Sequence, residues 1–218
     1  KSHQSLRDIS LLGALPNITI IQPCNAEETK WATEYCVNEA KENCVIRLAI
    51  GPSPETIQLP DDYEFIPGIG SELTDGKDAI IFAYGPVMLH EALTAHRILK
   101  KVNYGLKVVN MPWLNKIDLD WIESITKSYK SIFVLEDHSI IGGLGDRILE
   151  ALADVHHFQG KRFDIIGLDD YPECGTPQEV LQYHGLDGMS IAKRISNIDN
   201  LDSIIQEEEK NYSDSSPQ

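Results

Sequence analysis

The sequence has no cysteine pair spaced as CxxC; its four cysteines stand at 24, 36, 44 and 174. That scatter excludes paired-thiol metal and redox motifs and reads as reduced thiols in a cytoplasmic protein. Basic runs are equally scarce. No Lys/Arg run exceeds Lys100-Lys101, and 19 basic against 34 acidic side chains leave a net charge of −15. A nucleic-acid partner needs a clustered basic surface to release counterions from phosphates, so none is expected. No apolar run approaches the roughly 20 residues of a membrane span, and the first residues lack the h-region of a secretory signal, so neither membrane nor export is expected. The sequons at Asn17 and Asn211 then read as chance matches. GxSxG, HExxH, GxxxxGK and GxGxxG are also missing, so no single motif announces an active site.

What is present is an α/β pattern over 218 residues. Leu6, Ile9, Leu12 and Leu15 recur at helical spacing, giving a short helix with one buried face and His3 at its entrance. "NITIIQP" reads as a β-branched strand stopped by Pro23, residues 26–41 as a helix, and "CVIRLAI" as a second strand. The stretch 51–77, rich in proline and glycine, reads as a linker able to hold one or two short edge strands, with a boundary near 75. From Asp78 strands and helices alternate. "DAIIFAYG", "LKVVNM", "SIFVLED" and "RFDIIGL" are the strands, and the helices between them include one with Pro86 in its first turn. Thr176, Pro177 and Glu179 spell a capping box at a further helix start. This alternation predicts a three-layer α/β/α domain over 78–197 with a mainly parallel five-stranded sheet, followed by an acidic tail at 198–218.

Chemistry-bearing residues are few. "EDHSIIGGLGDRI" (136–148) places acids, a histidine and three glycines between a strand's carboxyl end and a helix's amino end, where α/β sheets bind ligands. Without a nucleotide-loop spacing it reads first as a structural turn, its glycines supplying positive φ or close packing. Glu136 and Asp137, adjacent in a strand, must point to opposite faces and cannot pair as acid and base. His138 is suited to bonding either a neighbouring subunit or a substrate. His90 and His96, six residues apart on a helix, make a poor metal pair, and His156-His157 at a helix end fit the helix dipole. No metal site is expected.

The order of the segments carries more than any one of them. "SHQSLRDISLLGALPNITIIQPCNAEE", "LKVVNMPWLNKIDLDWI", "VLEDHSIIGGLGDRILEAL" and "CGTPQEVLQYHGLDGMSIAKRI" resemble, in one unbroken order over residues 2–195, the transketolase family of thiamine diphosphate enzymes. The resemblance implies that residues 1–60 are the second half of a pyrimidine-binding domain, 61–77 a linker, and 78–197 the transketolase-like C-terminal domain. It implies two-carbon ketol transfer from a ketose to an aldose with thiamine diphosphate and Mg²⁺ in the complete enzyme. The cofactor-binding residues are then expected outside this chain, with no cofactor held by the chain alone. The implied partners are a diphosphate-binding module or subunit, the missing half of the pyrimidine module, a second copy in a homodimer, and sugar substrates.

His3 matches the histidine of the family's Thr-His-Gln pattern, which implies a hydrogen bond to the ketose donor, with Gln4 and Ser2 behind it. Arg47 is kept from the family's "IRLxR" strand, but Ile50 stands where the second, phosphate-gripping arginine is expected, so phosphorylated substrates are in question. Arg47 reads as structural before it reads as substrate-binding. The resemblance leaves two further readings open: a noncatalytic dimerisation or regulatory module, with Ile140, Ile141 and Leu144 as an interface, and a beta-type component of a 2-oxoacid dehydrogenase or deoxyxylulose-phosphate synthase-like enzyme.

Overall fold

A computed structural model describes residues 7–50, 53–156 and 158–199. A five-stranded sheet is built from β3 (Ser71–Glu72), β4 (Ala79–Ala83), β5 (Leu106–Asn110), β6 (Ser131–Ser139) and β7 (Arg162–Leu168). Its order is β3-β5-β4-β6-β7, parallel throughout except for the antiparallel β3 edge. The fifth strand thus comes from the stretch read as linker. β4 is buried at every residue, as expected of a central parallel strand covered on both faces.

Helices α3 (Gly85–Lys101) and α7 (Gly188–Ile198) cover one face, where Met88, Leu89, Ala92, Leu99, Ile191 and Ile195 meet Ile81, Val108 and Phe133. Pro86 opens α3, where a missing N–H costs nothing, and Lys100 and Lys101 close it against the negative end of the helix dipole. α4 (Leu119–Thr126) and α5 (Leu144–Asp154) lie on the other face, and α6 (Pro177–Tyr183) begins with the full capping box of Thr176 and Glu179.

The first part of the chain contributes α1 (Asp8–Gly13), β1 (Ile18–Ile21), α2 (Ala26–Asn38) and β2 (Asn43–Ile46). β1 and β2 pair in parallel as their own two-stranded sheet. They do not stand apart from the larger sheet, as the reading of a separate half-module implied. Ile9, Ile20, Ile21, Ala32 and Tyr35 share one apolar cluster with Ile80, Phe82, Val109, Trp113 and Ile148. β1 is tied along its free edge to residues 112–115: Gln22 N–H donates to the Pro112 carbonyl and Leu114 N–H to the Ile20 carbonyl, both at 2.9 Å. Three local readings shift. Leu15 is exposed in the turn after α1, α2 ends at Asn38 rather than 41, and β2 stops at Ile46, leaving Leu48 and Ile50 exposed.

Candidate functional site

Two segments about 130 residues apart in sequence meet at the carboxyl end of β6. α1 sits on the glycine turn that joins β6 to α5. Gly142 has φ +76°, and a Cβ there would come within 2.5 Å of the Ser10 side chain, so the close approach requires glycine. Ser10 N–H, an otherwise unpaired donor of the first helical turn, points at His138 Nε2 at 3.4 Å. His138 Nδ1 in turn donates to the Ser139 carbonyl at 2.7 Å. The buried imidazole is thus neutral, one nitrogen donating and the other accepting, and burial holds its pKa below the usual histidine value. His138 is therefore engaged inside the chain, and not free to meet a substrate or a second subunit.

Glu136 and Asp137 do point to opposite faces. Glu136 is fully buried and accepts the Leu144 and Gly145 N–H groups, at 2.8 and 3.1 Å, at the start of α5. It supplies the cap that Gly143, as N-cap residue, cannot. Burial pushes its carboxyl up to about 7, against the two N–H bonds that favour the charged form. A Cβ on Gly143 would meet Glu136 Oε2 at 2.0 Å, and one on Gly145 would meet Ile165 at 2.6 Å. The GGLG run is a packing and capping device, as its spacing suggested.

Asp137 faces the first part of the chain. Arg47, just past β2, donates from Nη1 to Asp137 Oδ1 at 2.5 Å and from Nε to Asp8 Oδ2 at 2.7 Å, and Nη1 also reaches the Gln22 amide oxygen. Burial works against its charge, but Asp137, Tyr84 and Asp8 outweigh that and raise its pKa above the ordinary arginine value. The guanidinium joins α1, β1, β2 and β6 in one knot. Gln22 is pinned from behind by Gly85, at φ +67°, where a Cβ would come within 2.4 Å of its Nε2.

A second buried carboxylate escaped the sequence reading. Glu28, in the first turn of α2, accepts from Cys24 N–H at 2.7 Å, Asn110 Nδ2 at 2.7 Å and Tyr63 Oη at 3.1 Å. Burial raises its pKa, with these donors opposing. A cleft of about 420 Å³ lies alongside, lined by Pro23, Asn25, Thr29, Leu48, Ile50 and Pro86 among others, with no Lys, Arg or His among the described residues of its wall.

His3, Gln4 and Ser2 lie outside the described residues, as does His157. His90 and His96 do not converge: His90 Nδ1 stands 3.2 Å from Glu55 Oε1, and His96 Nδ1 bonds the Leu106 carbonyl at 2.7 Å. Of the apolar trio read as an interface, Leu144 is buried in the core and Ile141 is exposed. Among the described residues no group of three or more His, Cys, Asp or Glu is placed to hold a metal ion, and no helix is long and apolar enough to cross a membrane.

Residues 68–191 match the family model described as transketolase, C-terminal domain. The chain belongs to the transketolase family. This transketolase-family chain is 36% identical over 195 residues to the putative transketolase C-terminal section of Methanocaldococcus jannaschii, covering 89% of this chain and 60% of that protein. It is 30% identical over 193 residues to an apulose-4-phosphate transketolase subunit of Phocaeicola vulgatus, covering 88% and 60%. A solved split-gene transketolase, in an inactive beta4 tetramer, superposes with a TM-score of 0.78 at 30% identity, covering 90% of this chain and 62% of that one. The transketolase of Campylobacter jejuni shares the fold at a TM-score of 0.66 and 18% identity, covering 90% and 28%. The chain spans about 60% of the length of those two curated relatives.

Proposed function

We propose that this chain is one component of a transketolase-like enzyme that moves a two-carbon ketol unit from a ketose donor to an aldose acceptor with thiamine diphosphate. The observation that carries the reading is the continuous likeness, across both the 7–50 region and the five-stranded domain, to proteins named as a transketolase C-terminal section and as one subunit of a transketolase. The diphosphate and Mg²⁺ are assigned to a partner polypeptide carrying the diphosphate-binding module, and the missing half of the pyrimidine module and a homodimer through the C-terminal domain are part of the same reading.

His3 is the proposed catalytic residue. Positioned beside the donor sugar, an imidazole can donate to an oxygen that gains charge as the C–C bond breaks, or carry its proton away. Arg47, held by Asp8, Gln22 and Asp137, ties the parts together rather than gripping the sugar. With no cation among the described residues lining the cleft beside Ile50, those residues offer a phosphate monoester no grip there.

The test is reconstitution with polypeptide carrying the diphosphate-binding module and the missing half of the pyrimidine module, scored for ketol transfer from phosphorylated and unphosphorylated ketoses. The mixture is expected to turn over, and His3→Ala to lower turnover by about 100-fold. A mixture that transfers no ketol unit, or one indifferent to His3→Ala, contradicts the reading. A deoxyxylulose-phosphate synthase-like component is the second reading, favoured by a 30% identical relative of that name over 171 residues; deoxyxylulose phosphate as the product of the same mixture would select it.

A further inference from the structure

Two of the cysteines are brought together by the path of the chain. Cys36 stands two residues before the end of α2 and Cys44 is the second residue of β2, with only residues 39–42 between the two elements. A connection that short turns β2 back beside the end of α2. Both side chains, with Ala40 between them in sequence, pack half-buried against the apolar cluster that the first part of the chain shares with the larger sheet. The two thiols lie in hydrogen-bond contact with each other, and Cys44 Sγ also donates to the Glu42 carbonyl at 3.8 Å. Cys24 and Cys174 are placed differently: Cys24 is buried beside Glu28, and Cys174 is exposed beyond β7.

Burial, and then the neighbouring Cys44 thiol, push the Cys36 thiol up to about 12, so at neutral pH it keeps its proton. A metal ion is a poor match for the pair, because no third His, Cys, Asp or Glu among the described residues joins it to complete a ligand set. A disulfide needs only the two sulfurs. It carries no charge, so it suits a half-apolar seam that resists a thiolate, and contact between the thiols is the geometric condition for making it.

We propose that Cys36 and Cys44 are a site of reversible disulfide formation that fastens the end of α2 to the start of β2. The oxidant is a small-molecule disulfide. Cys44, as thiolate, attacks one of its sulfurs, forming a mixed disulfide and expelling the other half as a thiolate; Cys36 then loses its proton, attacks the Cys44 sulfur and expels the second half. Two protein thiols are oxidised and one small disulfide is reduced to two thiols. The second step is the slow one, since Cys36 gives up its proton reluctantly. The link closes a short ring on a strand that has no buried residue of its own, and removes the conformations in which α2 and β2 part.

The experiment incubates the full chain with excess oxidised glutathione at about pH 8, where thiolates are available, quenches with acid and maps thiols and disulfides by mass spectrometry of unreduced peptides. Exposed Cys174 is expected to take up a glutathione, which shows that the oxidant reaches the chain, while Cys36 and Cys44 lose one hydrogen each and appear as a single cross-linked pair. Amide exchange in the last turn of α2 and in β2 should then slow by about tenfold relative to the reduced chain. That difference should disappear on reduction, and should be missing in Cys44→Ser, which cannot close the link. Peptides in which Cys36 and Cys44 remain thiols, or each carry a separate glutathione, would overturn the proposal. So would a link that leaves exchange in α2 and β2 as it was.

Discussion

Strand β4 is hydrogen-bonded along both edges and buried at every residue, whereas β2 pairs only with β1 among the described residues and has no buried residue. Around the larger sheet, helices close both faces. Around the smaller one, Val37, Leu48 and Ile50 stand exposed. A two-stranded parallel sheet has too little buried surface to be stable alone, and parallel strands are ordinarily covered on both sides. What holds this one is borrowed: β1 is zipped to residues 112–115, its apolar side chains join the core beneath β4, and Arg47 ties its end to β6. The difference teaches that the five-stranded domain is the folding body, and that residues 7–50 are a layer laid on it with one edge left open among the described residues, the place where the proposed partner polypeptide would continue the structure.

The sharpest way to break the comparison is to damage the better-built side. Gly143→Ala drives a methyl into the Glu136 carboxylate, fixed by two N–H bonds and full burial, so neither partner can yield cheaply. A loss of about 3 kcal/mol in denaturant unfolding is expected, at the top of the overpacking range. A smaller effect should come from cutting the tie. Arg47→Met keeps the aliphatic bulk but leaves Asp8 and Asp137 unpaired; as both carboxylates are partly solvated, the cost is about 1–2 kcal/mol. Its signature is distinctive. Proteolysis or amide exchange should speed up in α1 and β2 while β4 stays protected, whereas Gly143→Ala should loosen α5 and the sheet with it.

The larger sheet was legible because its signals are local. Apolar runs bounded by caps gave β4 to β7 with their helices, and Thr176 with Glu179 forms the capping box its spacing promised. The role of the GGLG turn was legible for the same reason, since adjacent residues in a strand must face apart and the glycines answer to a neighbouring carboxylate. What was not legible depends on contacts distant in sequence. Nothing near Ser10 announces that His138, 128 residues on, will accept its N–H. Glu28 reads as an ordinary acid in a first helical turn until Tyr63 and Asn110 fold over it. β2 was read too long because its apolar letters continue through Leu48 and Ile50, and periodicity cannot say whether anything covers them. Family likeness named His3 and Arg47; packing then gave Arg47 three partners within the chain.

Completion of the open edge of residues 7–50 by another polypeptide is the central claim. Hydrogen–deuterium exchange on the full chain, alone and mixed with polypeptide carrying the diphosphate-binding module and the missing half of the pyrimidine module, measures this directly. Alone, amides of β4 and β6 should exchange slowest and those of α2 and β2 much faster. In the mixture, α2 and β2 should slow by about tenfold or more, as a strand edge and its exposed apolar neighbours become covered. A mixture active in ketol transfer whose α2 and β2 amides exchange as fast as in the chain alone would contradict it.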